Sequence, residues 1–384
     1  MTAAGGTVRV LLAPDKFKGT LTALEVCRHL AVGIAEVAPW ASVDLVPVAD
    51  GGDGTLAAAI AAGFDEVPVT APGPTGLPLD TSFARRGAEA VVELAQVSGL
   101  VQLPERVPAP MTATSEGTGT LIAAALDAGC RRIVVGIGGS ASTDGGAGLV
   151  AALGAVIRDA DGNPVGPGPQ GLARAAGLDL SGLHPALAET ELIVACDVDN
   201  PLTGPCGAAA IYGPQKGATR ELVAEQDAIL SHWADLVAAT TGVDHRDLAG
   251  AGAAGGVGFA LVALCGAALR PGAELVFALT GFYPALAEAD LVVTGEGSLD
   301  RQTLQGKAPA AVAAAARVRS LPVLAVAGRV ALSEAEWRAA GIRAAYALLD
   351  EGTLTQAMTE PGPLLERIGR RIGSEHLTRP RSPA

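Results

Sequence analysis

The sequence predicts an α/β protein with a discontinuous parallel-sheet domain and a second α/β domain inserted into it. Three observations carry that expectation. At 384 residues the chain is longer than one core usually holds. Short apolar runs rich in Val and Leu alternate with Ala-rich helical stretches at both ends of the chain. Between them, after Gly63, the rhythm changes to closely spaced strands separated by turn residues. With 49% hydrophobic residues, 50 Gly and 25 Pro, the composition suits an Ala/Val/Leu core linked by many glycine turns.

Val8–Ala13 reads as the first strand and Pro14–Gly19 (PDKFKG) as a loop. In the helix that follows, Thr22 with Glu25 fits a capping box, and Leu24, Cys27, Leu30, Ala31 and Ile34 recur at helical spacing until Pro39. Val43–Val48 is the second strand, succeeded by the loop Asp50–Thr55 and an Ala-rich helix. Glu66–Thr70, Leu79–Arg86 and Ala88–Ala95 read as a meander. A helix near Thr118–Gly129, a strand at Arg132–Ile137, the loop Gly138–Gly146 with a helix behind it, and a turn at Asp161–Pro164 come next. A strand at Leu192–Cys196 and helices at about Arg220–Thr240 and Gly256–Leu269 complete the insert.

Strands at Leu291–Thr294, Pro322–Ala327 and Ala344–Leu348, separated by helices, bring the count from the two ends to five. Five is the number of a flavodoxin-like sheet, of strand order 2-1-3-4-5, whose ligand crevice lies at the carboxyl ends of the first and third strands. That order sets Pro14–Gly19 beside Gly295–Arg301. The expected domains are 1–64 with 289–384, and 65–288 inserted. Thr378–Ala384 reads as a frayed tail.

Charge and residue usage exclude several classes. A net charge of −13 leaves no basic face for nucleic acid. Five cysteines without a CxxC pair read as buried free thiols in a reducing compartment, and the histidines show no HExxH. Met1–Thr7 is too short for a signal peptide, and glycines break the apolar runs before membrane-spanning length. The expectation is a soluble, cytoplasmic protein with no membrane or nucleic-acid partner; a homo-oligomer is left open.

Five loops combine glycines with a carboxylate or Asn at a strand end: Pro14–Gly19, Asp50–Thr55, Gly136–Gly146, Asp197–Asn200 and Gly295–Asp300. A sheet gathers such ends on one side. In Leu291–Pro309, a buried strand leads through Gly295-Glu296-Gly297-Ser298 to Asp300, Arg301 and Lys307 ahead of a helix. Glycines admit a ligand to the backbone, and a helix N-terminus offers N–H groups to an anion. Carboxylates beside an anion site repel phosphate unless a metal ion stands between, so Glu296, Asp300 and Lys307 point to a metal–nucleotide ligand. The alternative is a helix cap and a solvated turn. Asp197, with Asp199 and Asn200 after a strand, is placed to accept a hydroxyl proton or hold Mg²⁺; the alternative is an Asx turn before Pro201. Lys16 and Lys18 are phosphate contacts or a solvated pair. Tyr212–Gly217 is a substrate or interface loop, or a structural one. Gly136–Ala141 matches G-x-G-x-x-A, with Asp159 and Asp161 some twenty residues on, which keeps an NAD-dependent dehydrogenase as a rival. A non-catalytic small-ligand sensor is a second. No Walker A or G-x-S-x-G motif is present. Trp40, Trp233 and Trp337 read as packing residues.

Seven runs in order resemble the class I glycerate kinases of bacteria: Ala13–Thr20, Val48–Thr55, Gly136–Gly146, Cys196–Gly204, Gly213–Ala218, Gly250–Gly258 and Ala289–Lys307. The resemblance implies transfer of the γ-phosphoryl group of ATP, with Mg²⁺, to D-glycerate, giving 2-phosphoglycerate or 3-phosphoglycerate. Under it, Asp197 and Lys16 are catalytic candidates. Lys18, Asp50, Asp53 and Asn200 would meet the substrate. Gly138, Gly139, Ser140, Gly145 and Lys307 would meet the phosphates, and Glu296 and Asp300 the metal. Lys16 stands where Ser is common, Asp53 where Glu is, Ser142-Thr143 where Thr-Asn is, and Ser298 where Arg is frequent. Lys16 or Arg301 is then the candidate to restore the charge missing at Ser298.

Overall fold

The apolar runs at the two ends of the chain pair with each other. The computed structural model describes residues 7–379 and divides into two units. Unit 1 takes the chain to Asp50, Ala57–Ala62 and the chain from Ala273; unit 2 takes Gly51–Leu56 and Gly63–Gly272. The segment 1–6 and the part of the expected frayed tail from 380 onward lie outside the described residues.

Unit 1 opens with β1 (Arg9–Pro14), the helix Ala23–Val37 and β2 (Ser42–Leu45). Unit 2 supplies β3 (Asp65–Pro72), β4 (Pro78–Arg86), β5 (Glu89–Glu93), β6 (Arg132–Gly136), β7 (Val156–Asp159), β8 (Ala175–Asp179), β9 (Glu191–Ala195) and β10 (Ala268–Arg270). Unit 1 then resumes with β11 (Leu291–Leu299), β12 (Val323–Val330) and β13 (Ala344–Ala347).

The unit 1 sheet has the order β13-β12-β11-β1-β2, and every pair is parallel. Read from the other edge, this is the 2-1-3-4-5 order that strand counting predicts. Alternation along β1 explains its burial on both faces. Val10 and Leu12 join the cluster under the helices Ala23–Val37 and Pro361–His376, while Leu11 and Ala13 join the opposite cluster with Val292 and Val312. Thr22 and Glu25 form the expected capping box. The two helices meet backbone to backbone: a Cβ at Gly33 would lie 2.0 Å from Glu366 O, and one at Gly369 would lie 2.5 Å from Leu30 O.

The segment 273–288, expected in the insert, folds with unit 1. Ala273, Phe277, Phe282 and Leu286 pack with Leu11 and Val292, and the Phe277 and Phe282 rings stack at 4.1 Å. Its helices, Gly272–Thr280 and Phe282–Glu288, carry apolar residues whose destination no local pattern reveals.

Unit 2 contains a six-stranded sheet of order β10-β9-β6-β5-β4-β3. β3, β4 and β5 form the expected antiparallel meander; β5, β6, β9 and β10 run parallel. β10 overlaps the end of the stretch Gly256–Leu269 that reads as helix. The helix stops at Cys265 because Gly266 takes a left-handed φ of 68°, and the chain then pairs with β9. β7 and β8, an antiparallel pair on either side of the Asp161–Pro164 turn, also escape the sequence pattern. Trp233 is fully buried in this unit's core, and its Nε1–H donates to Gly145 O at 3.0 Å.

Among the described residues no helix is long and apolar enough to cross a membrane. All five cysteines are free, but only Cys27 and Cys130 are fully buried; Cys206, on the loop after Pro201, is exposed.

Candidate active site

In unit 1, strand pairing brings the lysine loop to the acidic segment. Pro14 lies in register with Gly295, and Asp15 N–H donates to Gly295 O at 2.8 Å. The acidic segment is not a turn: β11 continues to Leu299, with Glu296 paired to Ala327 and Ser298 to Arg329 on β12. Its glycines serve close packing rather than a left-handed φ, since a Cβ at Gly295 would fall 2.2 Å from Val326 O.

Glu296 is buried within this pairing. Its Oε1 accepts a short bond from Thr303 Oγ1, and Lys307 Nζ stands 3.6 Å from its Oε2. Burial raises the carboxyl pKa, opposed by the Thr303 hydroxyl and the Lys307 charge. Asp300 accepts from Gln302 N–H at 2.9 Å and from Ser298 Oγ at 3.2 Å. Lys307 precedes the helix Ala308–Val318. Asp15, which sequence reasoning left out of the candidate set, is held at a pKa of about 7, first by burial and then by the charge of Asp50. Its Oδ1 accepts Lys16 N–H at 2.6 Å; Lys16 is half-buried and Lys18 exposed. Arg301, one candidate for the charge missing at Ser298, is exposed and reaches Glu336 at 3.4 Å. The guanidinium beside Ser298 is that of Arg329, with Nη2 to Ser298 Oγ 3.4 Å. Only the β11–β12 register reveals it.

In unit 2 the parallel strands align Glu93, Gly136, Ala195 and Arg270 in one row, so the loops that follow share one sheet edge. Asp197 lies just past that row on an exposed loop, and its Oδ1 accepts Gly272 N–H at 2.8 Å. Asn200 is less available than its position suggests. Its Nδ2 donates to Cys206 O at 2.8 Å and its Oδ1 accepts from Tyr212 Oη–H at 2.6 Å, so the amide braces the loop with one donor and one acceptor site already engaged. Asp53 sits half-buried in the loop Gly51–Gly54. Glu93, unforeseen in the sequence because it ends an apolar strand, accepts Gly54 N–H at 3.1 Å and Leu56 N–H at 2.9 Å. Burial raises its carboxyl pKa.

The glycine loop is held from within. Asp144 is buried and accepts Ser115 N–H and Ser115 Oγ–H at 2.8 Å each, and Gly146 N–H at 3.2 Å. Lys216, from the loop left open between functional and structural readings, is buried and donates to Ser140 Oγ at 2.7 Å and Ser142 O at 2.5 Å. Burial lowers its pKa to about 7, against the pull of Asp144. Gly139 and Gly145 take left-handed φ values of 75° and 63°. Gly145 cannot offer its N–H to a phosphate, because Gly255 O accepts it at 2.9 Å. Gly138 is required for close approach: a Cβ there would lie 2.7 Å from Gly52 Cα.

The dinucleotide fingerprint is not built. The next helix begins only at Ala147 and spans six residues, whereas that fingerprint needs a helix opening on the glycines. Asp159 is spent on Arg174 at 2.8 Å and on the N–H groups of its own turn.

Comparison with known proteins bears on this geometry. The family model described as Glycerate kinase family matches residues 10–376. The glycerate kinase of Bacillus subtilis (strain 168) is 41% identical over 96% of this chain and 97% of its own. The glycerate 2-kinase of Escherichia coli (strain K12) is 41% identical over the same 96% and 97%. A crystal structure titled as a candidate glycerate kinase 2 from Salmonella typhimurium LT2 superposes with a TM-score of 0.85 at 42% identity, covering 96% of this chain and 98% of that one.

Proposed function

Since the chain belongs to the glycerate kinase family, we propose that it transfers the γ-phosphoryl group of ATP, with Mg²⁺, to a hydroxyl of D-glycerate. The observation that carries this reading is the extent of the match, which runs through both units and every loop described above. The 2-kinase activity in the name of the E. coli relative favours 2-phosphoglycerate over 3-phosphoglycerate as the product.

Phosphoryl transfer leaves little covalent chemistry to a protein; position and charge do most of the work. Asp197 is the proposed acceptor of the hydroxyl proton, with one carboxylate oxygen oriented by Gly272 N–H. Lys16 and Lys18 would meet the phosphates or the glycerate carboxylate, and Lys307 the phosphates. Asp50 and Asp53 are proposed to orient the substrate hydroxyls. Gly138 and Gly139 shape the loop, and the Ser140 hydroxyl, held by Lys216, would turn toward a phosphate.

Magnesium takes one or two carboxylates and keeps several waters. Glu296 and Asp300 supply two such groups, and among the described residues no three His, Cys, Asp or Glu form a ready metal cage. These residues fit an ion that arrives with the nucleotide. When bound, it would neutralise charge on the phosphate oxygens.

The test is turnover of ATP with D-glycerate and Mg²⁺, read by ³¹P NMR against L-glycerate, glycerol and metal-free controls. A phosphoglycerate signal requiring both D-glycerate and Mg²⁺ is expected. Folded protein that yields none would overturn the assignment.

A further inference from the structure

A pocket of about 280 Å³ opens at the carboxyl edge of the unit 1 sheet, and its apolar lining has no role above. Part of its lining is glycine backbone. Gly297 of β11 and Gly328 of β12 lie side by side there, and a Cβ at Gly328 would fall 2.6 Å from Gly297 O. Buried Phe17 lines it, as do Leu348, Leu354 and Met358. Leu354 and Met358 stand four residues apart on the helix Leu354–Thr359, which Thr353 caps, and are 66% and 55% exposed. Lys18 and Arg329 bring positive charge to the same pocket.

Two large apolar side chains left open to water on a capped helix, in one pocket with side-chain-free Gly297 and Gly328, suit a flat apolar group. The two cations suit an anion attached to it. D-glycerate is a poor occupant, being small, charged and hydroxylated, with nothing to lay against aliphatic side chains. A nucleotide has both parts. The pocket also borders the ends of β1 and β11, between which the strand order reverses, where open α/β sheets bind ligands. Its volume is near the lower end of small-molecule sites, about 300 Å³, which is room for a nucleoside but not a whole triphosphate.

We propose that this pocket receives the base and sugar of the nucleotide substrate, with Lys18 and Arg329 turned to its phosphates. The proposal rests on the kinase reading, and its test separates the two. The chain has 3 methionines, Met1, Met111 and Met358, so ¹³C-methyl-methionine labelling gives a short spectrum that Met358→Leu assigns. ATP is expected to move the Met358 methyl resonance by the ring current of the base, while inorganic triphosphate and D-glycerate leave it in place. The double variant Leu354→Ala/Met358→Ala is expected to raise KM for ATP about tenfold more than KM for glycerate. A Met358 signal indifferent to ATP, in a sample that phosphorylates glycerate, would overturn the pocket and leave the kinase standing. An equal shift with inorganic triphosphate would also overturn it. A shift with ATP but no turnover of D-glycerate would uphold the pocket and remove glycerate as acceptor.

Discussion

Asp15 is an acid kept from its usual ionisation, and this sets a pH response for unit 1. Its folded pKa of about 7 lies above the ordinary aspartate value of about 3.8. As pH rises, the unfolded chain therefore releases this proton first. The stability contribution is complete below about pH 4 and is lost between about pH 4 and 7. Asp15→Asn removes the effect. The variant is expected to melt above the parent at pH 8, by on the order of 1–3 kcal/mol after screening by partial exposure, with the gap closing toward pH 4. Melts across that range check it; a gap independent of pH would refute the cause. Asp197→Asn tests the chemistry. Asn keeps an acceptor for Gly272 N–H, so folding should be preserved while kcat falls about 10²- to 10⁴-fold. A loss under tenfold would take Asp197 out of that role. Asp197 and Glu296 stand out in the sequence because each comes shortly after an apolar run, although Glu296 lies inside β11 and not beyond it. For Asn200 and Gly145, spacing shows that a residue sits in a loop after a strand, not which atom its own group meets. Cys206 O and Gly255 O decide those cases, and both belong to tertiary structure.

At the scale of elements, periodicity carried the fold well where each element had a clear period and a cap. The capping box at Thr22, the meander β3–β5 and the order of the unit 1 sheet all follow from it. It failed for β10, three residues long, and for the length of β11, whose glycines read as a turn but pack against β12. It also could not show how loops are tied to strands. Glu93 at the end of β5 takes two amides of the segment Gly51–Leu56, and no sequence pattern links a strand-end Glu to a loop 37 residues earlier. Glu93→Ala leaves Gly54 and Leu56 N–H groups without this acceptor, at about 1–3 kcal/mol. Hydrogen exchange should quicken at Gly54 and Leu56 before it does in β6 or β9. Uniform loosening of the sheet would mean that Glu93 is only a packing residue.

At the scale of the whole molecule, unit 1 is written in separated pieces and unit 2 nearly in one. A fragment 51–272 is expected to be soluble and to melt cooperatively. A chain ending at Glu288 lacks β11, β12 and β13, leaves β1 paired with β2 alone, and is expected to aggregate. Solution scattering and thermal melts of both fragments check this, and a soluble 1–288 chain with a folded N-terminal segment would refute it. The separation also has a consequence in time. Thr294 Oγ1 donates to Ala13 O across 281 residues. At about 5–20 residues per second of synthesis, β1 leaves the ribosome about 14–56 s before its partner β11 does. Throughout that interval Leu11 and Leu12, bound for opposite faces of one sheet, have neither, and the nascent chain is a natural client for a chaperone that shields extended apolar segments.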